Sequence, residues 1–331
     1  PHVVVWRVVM GVAILYLCLL VFLLFQSVGD ARQLLAAVDP ALGVPLPERS
    51  YAEHCELWAE GARPLANLEA TLYDEFILAH FLGWWVKAIM FRDVLMSWLL
   101  SVCFELLEIS LQHLLPNFNE CWWDHWLLDV LICNAAGIYL GMLTCRFLQM
   151  KEYDWAGVKE GGGGRIGRAI KKGVGRIAPE QYERFEWDLF SSPKRFFSVV
   201  FLFAFIEGVE LSCFFLKYVL WLPPPHYINV ARLALWCFIG SPALREFYQF
   251  ATDSSCKKLG TMAWLAGAIL LLEVLVCVKY GQGLYPNPWP RPVLLAWGAA
   301  AALFALWCVV YWLWWFPSKR AAARRARKKA N

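Results

Sequence analysis

The sequence predicts an all-α, polytopic transmembrane helical bundle of about eight spans, with eight to ten as the range. Three observations predict it. Apolar residues fill 60% of the 331 positions, aromatic residues 16%, and Trp alone occurs 19 times. That composition lies outside the range of soluble globular domains. Apolar runs long enough to cross a bilayer recur from one end of the chain to the other. The net charge is only +4, yet the basic residues collect in two stretches, as cytoplasmic flanks of membrane spans do.

Residues 4–28 read as the first span, with Arg7 an interfacial anchor near its start. A polar connector rich in Asp and Glu follows over 29–75. Residues 76–91 form a second, shorter helix that carries His80, and 94–115 a third. The fourth runs over 126–150, with Trp122 and Trp123 as an aromatic belt at its mouth. Next comes a soluble loop, 151–193, with four glycines at 161–164 and then Arg165, Arg168, Lys171, Lys172 and Arg176. No strand precedes the glycines and no GKS or GKT follows, so they read as a linker rather than a phosphate cradle. The basic series suits anionic lipid headgroups, and no nucleic acid partner is expected. Helices over 196–222, 228–248, 261–280 and 292–316 complete the set, without internal repeat. Residues 1–316 thus make one membrane domain, and 317–331 a basic tail.

With an even count of spans, the 151–193 loop and the tail share the cytoplasmic side, while the 29–75 connector and the 116–123 turn face the lumen. The first apolar run spans without a small-residue cleavage site, so no removable signal peptide is expected. Lys328 and Lys329 fit either an endoplasmic reticulum retrieval signal or a polybasic flank. Eleven cysteines occur without any CxxC pair, mostly inside apolar runs, and read as small helix residues rather than a disulfide or zinc framework. Cys55 and Cys121 are the two that would face the lumen, where a disulfide can persist.

The organising stretch is 104–134, FELLEISLQHLLPNFNECWWDHWLLDVLICN. It is apolar enough to lie in a bilayer and still carries Glu105, Glu108, Glu120, Asp124 and Asp129. Intramembrane ionisable groups cost several kcal/mol and mark function by default, at about 2.5–3.5 kcal/mol each on insertion scales. At about 100° per residue, Glu105, Glu108 and Gln112 fall within roughly 60° on one helix face. Pro116 breaks that helix, and Asn119 can cap the next. If the second helix is regular, Glu120, Asp124 and Asn134 share an arc of about 80° and Asp129 points nearly the opposite way. Paired carboxylates among amide oxygens suit a hard divalent cation rather than zinc, because no Cys/His ligand spacing occurs. His80 has the ordinary pKa of a proton carrier, although a lone membrane histidine also serves as a packing residue. A divalent ion, a histidine and a membrane together suggest phosphoryl chemistry on a lipid.

These residues carry a resemblance. DPALGVPLPERSY from Asp39, LAHFLGWW from Leu78, FELLE, LPNFNECWWD and LDVLICN match it, as do RFEWDLF, ELSCFFLKYVLW, REFYQF and CVKYGQGLYP further on. Over nearly its whole length the chain resembles the base-exchange phosphatidylserine synthases. Its details look closest to the plant and algal members and to the animal enzyme that prefers phosphatidylethanolamine. Ser212 departs from the family's ELN-type motif, where Asn is expected. The resemblance implies a calcium-dependent exchange of the phosphatidylethanolamine headgroup for L-serine in the endoplasmic reticulum membrane, in a multi-pass enzyme. Its important residues correspond to His80, Glu105, Glu108, Asn117, Glu120, Asp124, Asp129 and Asn134. Combined with the reading of the residues, it assigns the cation to Glu105, Glu108 and Glu120, and the proton to His80, oriented by Asp129 or Asp124. Asn117, Asn134, Gln112 and Arg245 are then expected to bind substrate, with the Arg245 guanidinium on the serine carboxylate. A homo-oligomer is left open. The rival from another class is a cation transporter or channel that uses the same carboxylates; internal repeats would favour it.

Overall fold

The computed structural model describes residues 3–46, 52, 55–56, 75–150, 185–285 and 288–318. All regular structure among them is helical: α1 (Val3–Leu24), α2 (Val28–Val38), α3 (Glu75–Phe91), α4 (Val94–Leu111), a 3-10 turn at Pro116–Phe118, a π-wound segment at Asp124–Asn134 that continues as α5 (Ala135–Met150), a 3-10 turn at Leu189–Ser191, α6 (Pro193–Leu220), α7 (Tyr227–Thr252), α8 (Thr261–Tyr280) and α9 (Arg291–Val309), which ends in a second π-wound segment at Val310–Trp315. Seven helices among the described residues are long and apolar enough to cross a membrane, and α3 is a shorter apolar one. The polytopic all-α architecture is therefore observed, with α3 making up the expected eight. Residues 151–184 of the basic loop, the tail from 319 onward and more than half of the connector lie outside the described residues. The connector's first part is not plain coil: it opens with α2, whose Arg32 donates to the Val219 carbonyl at the end of α6 through Nε (3.1 Å) and Nη2 (2.7 Å).

Local chemistry starts and stops these helices. The Asp93 carboxylate caps α4 by accepting from the Met96 amide (2.9 Å). Ser192 caps α6 ahead of Pro193, whose missing N–H costs nothing at a first helical position. Leu115 is held extended before Pro116, which ends the α4 region and turns the chain back.

Lipid offers no hydrophobic drive between helices, so close packing and polar ties must hold them together. Gly137 and Gly141 of α5 let α3 approach: a Cβ on Gly141 would lie 2.5 Å from Ala88 Cβ and 2.8 Å from the Trp85 carbonyl. A second group, α1 with α6, α7 and α8, is tied by charge. Arg232 of α7 donates to Glu273 of α8 through Nε (2.8 Å) and Nη2 (2.6 Å). Tyr16 of α1 donates to the same carboxylate (2.7 Å), as does the Trp236 indole (3.3 Å), while Arg232 Nη2 also reaches the Val209 carbonyl of α6 (3.1 Å). Between the groups, α4 runs parallel to α6, and it runs antiparallel to α3. His80, Glu105, Glu108 and the 112–123 turn consequently gather at one end, while Phe91, Met96, Trp187 and Leu244 pack together at the other.

Candidate active site

Three elements converge at the turn end: α3 with His80, α4 with Glu105 and Glu108, and the π-wound segment with His125 and Asp129. His80 Nδ1 lies 2.5 Å from Asp129 Oδ1. His125 Nδ1 lies 3.0 Å from Glu105 Oε2, and 3.7 Å from both Glu108 Oε2 and Glu120 Oε2. One ligand atom from each of Glu105, Glu108 and His125 falls within 4.8 Å of the others, and the same holds for Glu120, His125 and Asp129. His125 belongs to both triads. Glu105, Glu108, His125 and Asp129 are all buried, and Glu108 Oε2 has no hydrogen-bond partner.

Electrostatics make this arrangement incomplete on its own. Five carboxyl groups face two imidazoles, and buried charges of one sign repel strongly at low dielectric. Outside the spans, burial with Asp129 nearby lifts the Glu120 carboxyl to about 8. A cation at either triad would reverse that push, since opposite charge favours the ionised form. The donor set is mainly oxygen, and the orphaned Glu108 oxygen is what a ligand atom without its ion looks like. The residues present therefore fit a divalent metal.

Winding explains the one reversal of a geometric expectation. On a regular α-helix Asp124 and Asp129 would stand about 140° apart. A π-helix, bonded i→i+5, turns only roughly 80° per residue, which brings them to about 40°. Glu120 itself sits outside any helix, in the short stretch between Phe118 and Trp122. Asp129 thus joins Glu120 instead of facing away from it. It is Asp129, rather than Asp124, that holds His80; Asp124 is half-buried and belongs to neither triad.

The other expected residues divide. Asn117 sits half-buried in the 3-10 turn, which Phe118 fixes by packing on Phe214 (4.9 Å between ring centroids) and Phe104 (6.5 Å). Asn134 is buried; its Nδ2 donates to Ser101 Oγ (2.9 Å) and its Oδ1 has no partner. Gln112 is exposed at the end of α4, because the helix stops there and the chain turns before its face is covered. Arg245 lies at the far end of the bundle, next to Leu244 in the cluster of Phe91 and Met96. The residue that the sequence reading left without a role is His125, and its spacing to Asp129, four residues on one face, was the available signal.

The turn is pinned covalently. Cys55 and Cys121 form a disulfide with Cα atoms 5.2 Å apart, and the Trp123 indole donates to the Cys55 carbonyl (3.1 Å). Glu120 is therefore anchored to the connector at the very next residue.

Comparison with known proteins gives the family. The family model described as phosphatidyl serine synthase matches residues 1–281. A protein of Oryza sativa subsp. japonica named CDP-diacylglycerol--serine O-phosphatidyltransferase 2 is 43% identical over 95% of this chain and 74% of its own length. Its Arabidopsis thaliana counterpart, CDP-diacylglycerol--serine O-phosphatidyltransferase 1, is 42% identical over 98% of this chain and 76% of its own length. The Homo sapiens protein named Phosphatidylserine synthase 2 is 42% identical over 93% of this chain and 63% of its own length. The transporter alternative finds no support among them. A match over most of the chain, with relatives in plants and animals above two-fifths identity, means that the chain belongs to the phosphatidyl serine synthase family.

Proposed function

We propose that this chain makes phosphatidylserine by headgroup exchange, transferring the phosphatidyl group of phosphatidylethanolamine to L-serine and releasing ethanolamine. The carrying observation is the His80–Asp129 pair set against two carboxylate triads in one buried pocket of charge. Asp129 occupies His80 Nδ1 and so leaves Nε2 as the basic nitrogen. That nitrogen takes the proton of the serine hydroxyl as its oxygen bonds to phosphorus. The same proton goes to the ethanolamine oxygen as its bond to phosphorus breaks. One phosphodiester replaces another, so no nucleotide is consumed.

Glu105, Glu108 and Glu120 would hold calcium, with His125 orienting Glu105 through its hydrogen bond. When bound, the ion neutralises charge on the non-bridging phosphate oxygens. Asn117 and Asn134 are assigned to substrate, Asn134 through its unpaired Oδ1. The Cys55–Cys121 disulfide supports an opening towards an oxidising lumen, and with the family resemblance supports the endoplasmic reticulum membrane. An impermeant maleimide that labels Asn119→Cys from outside intact microsomes would reverse this orientation.

A second donor is favoured by one observation: the plant relatives are named for CDP-diacylglycerol. Against it, the chain lacks the DGxxAR…GxxxDxxxD pattern of CDP-alcohol phosphotransferases. The deciding experiment supplies purified protein in nanodiscs with labelled serine and calcium, and either phosphatidylethanolamine or CDP-diacylglycerol. Serine-dependent ethanolamine release from the first is expected. CMP release from the second, without ethanolamine release, would replace the exchange reading.

A further inference from the structure

A second polar layer lies deeper in the bundle. Lys87 of α3 pairs with Glu210 of α6 (Nζ to Oε1, 2.5 Å) and stands 3.4 Å from the centroid of the Trp84 ring. These two side chains keep 18% and 23% of their surface accessible. Behind them Glu207, one turn earlier on α6, is only 8% exposed, and its Oε1 has no hydrogen-bond partner. An unpaired buried carboxylate oxygen is costly, and a donor brought by a ligand would remove that cost. With both carboxyls ionised, two carboxylates and one ammonium leave a single negative charge among them, too little for a second divalent ion but matched to one further ammonium. Lys87 is seven residues beyond His80, two turns on the same face and roughly 10 Å along α3. Its side chain angles back along α3 towards the His80 end.

We propose that Glu207 is the acceptor for the primary ammonium of the exchanged alcohol, and that Lys87 recognises the carboxylate that only serine adds. The inference rests on the exchange reading for which alcohols arrive. Serine and ethanolamine both carry a primary ammonium two carbons from the reacting oxygen. One acceptor can serve both, whether the group comes as free serine or on the lipid headgroup. A quaternary ammonium has no N–H to give Glu207, so a choline headgroup is disfavoured at the same point.

The test measures binding without turnover, so that failure of the exchange reading leaves it interpretable. Full-length protein in detergent is titrated with L-serine, with serinol (the same ammonium without the carboxylate), with ethanolamine and with choline, by ligand-observed NMR. In the native protein ethanolamine should bind at least about tenfold better than choline. Glu207→Gln should weaken serine, serinol and ethanolamine together by about tenfold or more, with partial recovery in Glu207→Asp. Lys87→Gln should weaken serine by a similar factor and leave serinol and ethanolamine unchanged. In a parallel series of mixed micelles, the mole fraction of phosphatidylethanolamine at half-saturation reads the lipid source. A shift there in Glu207→Gln, with free serine unaffected, assigns the ammonium to the headgroup and still supports the acceptor. Unchanged constants for all four ligands and for the lipid in Glu207→Gln would overturn it. If Glu207→Gln does not fold, equal affinity of the native protein for ethanolamine and choline overturns it as well.

Discussion

Two of the charged clusters inside this bundle behave as opposites. Around Glu273 both carboxylate oxygens find partners in a bidentate guanidinium, with a phenol and an indole added, and Arg232 Nη2 also donates to a backbone carbonyl. Around Glu105 and Glu108 the acids outnumber the bases, and a buried carboxylate oxygen is left unmatched. Both clusters are expensive to keep in a membrane. The first repays that by joining four helices and asks nothing more of the surroundings. The second is finished only by something that binds. Intramembrane charge is thus a poor sign of function by itself, and the balance left over is the better one.

The largest effect should fall on the unfinished cluster. Glu105→Gln and Glu108→Gln should each abolish serine incorporation, as should excess EGTA on the native protein, with recovery when calcium is returned. Melting in detergent should remain close to that of the native protein, because a neutral amide relieves repulsion there. Full activity in EGTA would remove the metal, and an unfolded Glu108→Gln would make this cluster as structural as the other.

His80→Ala comes next. It should lower turnover by about 10²–10⁴-fold, the usual worth of a general base, while calcium binding is retained. Residual turnover above about a tenth of native would leave His80 a packing residue.

The finished cluster should fail differently. Arg232→Met leaves Glu273 buried without its counter-ion and should destabilise the fold by about 3–5 kcal/mol. The double change Arg232→Met with Glu273→Leu should recover much of that loss, since an apolar pair of similar volume is tolerated. Turnover per folded molecule should stay native in both. A specific loss of activity in the double variant would erase the contrast.

A smaller effect tests the same imbalance by pH. With its carboxyl lifted to about 8, Glu120 holds a proton below that pH when no cation is present. Calcium must displace that proton, so the calcium needed for half-maximal activity should rise as pH falls from about 8 to 6. A flat requirement across that range would take Glu120 out of the ion's shell.

Much of this was legible in the sequence because membranes are unforgiving. Apolar runs announce spans by length, and acids within them stand out whatever their partners, so Glu105, Glu108 and Glu120 were visible from composition and a 100° repeat. What stayed hidden depends on winding and on distance in sequence. A π-wound turn cannot be told from an α-helical one by periodicity in eleven residues, so Asp129 was placed on the wrong face. Lys87 meets Glu210 across 123 positions, and Arg232 meets Glu273 across 41, and no local pattern pairs them. The Cys55–Cys121 bridge was legible only as two cysteines on one side of the membrane.

The smallest effect expected is at Arg245. Its REFYQF setting and its guanidinium made it a candidate for the serine carboxylate, which a fork of donors holds better than a lysine can. In the fold it follows Leu244, which packs with Phe91 and Met96, at the start of α4 and the end of α3. His80 and Glu105 lie at the other ends of those same helices. Between Met96 and Glu105 alone the helix rises roughly 13 Å. Nearby, Glu246 accepts from the Ala263 amide at the start of α8 (2.8 Å), so this is the end where α7 meets the α8 cap. A side chain there can anchor a headgroup or a neighbouring loop, but it cannot reach an amino acid whose hydroxyl is at His80. Arg245→Lys should therefore change the serine KM by less than about twofold, where loss of a bidentate carboxylate contact would cost roughly tenfold or more. Measured beside Lys87→Gln, it separates the two cations: a raised serine KM in Arg245→Lys with none in Lys87→Gln would move serine recognition to the far end and undo the division drawn here.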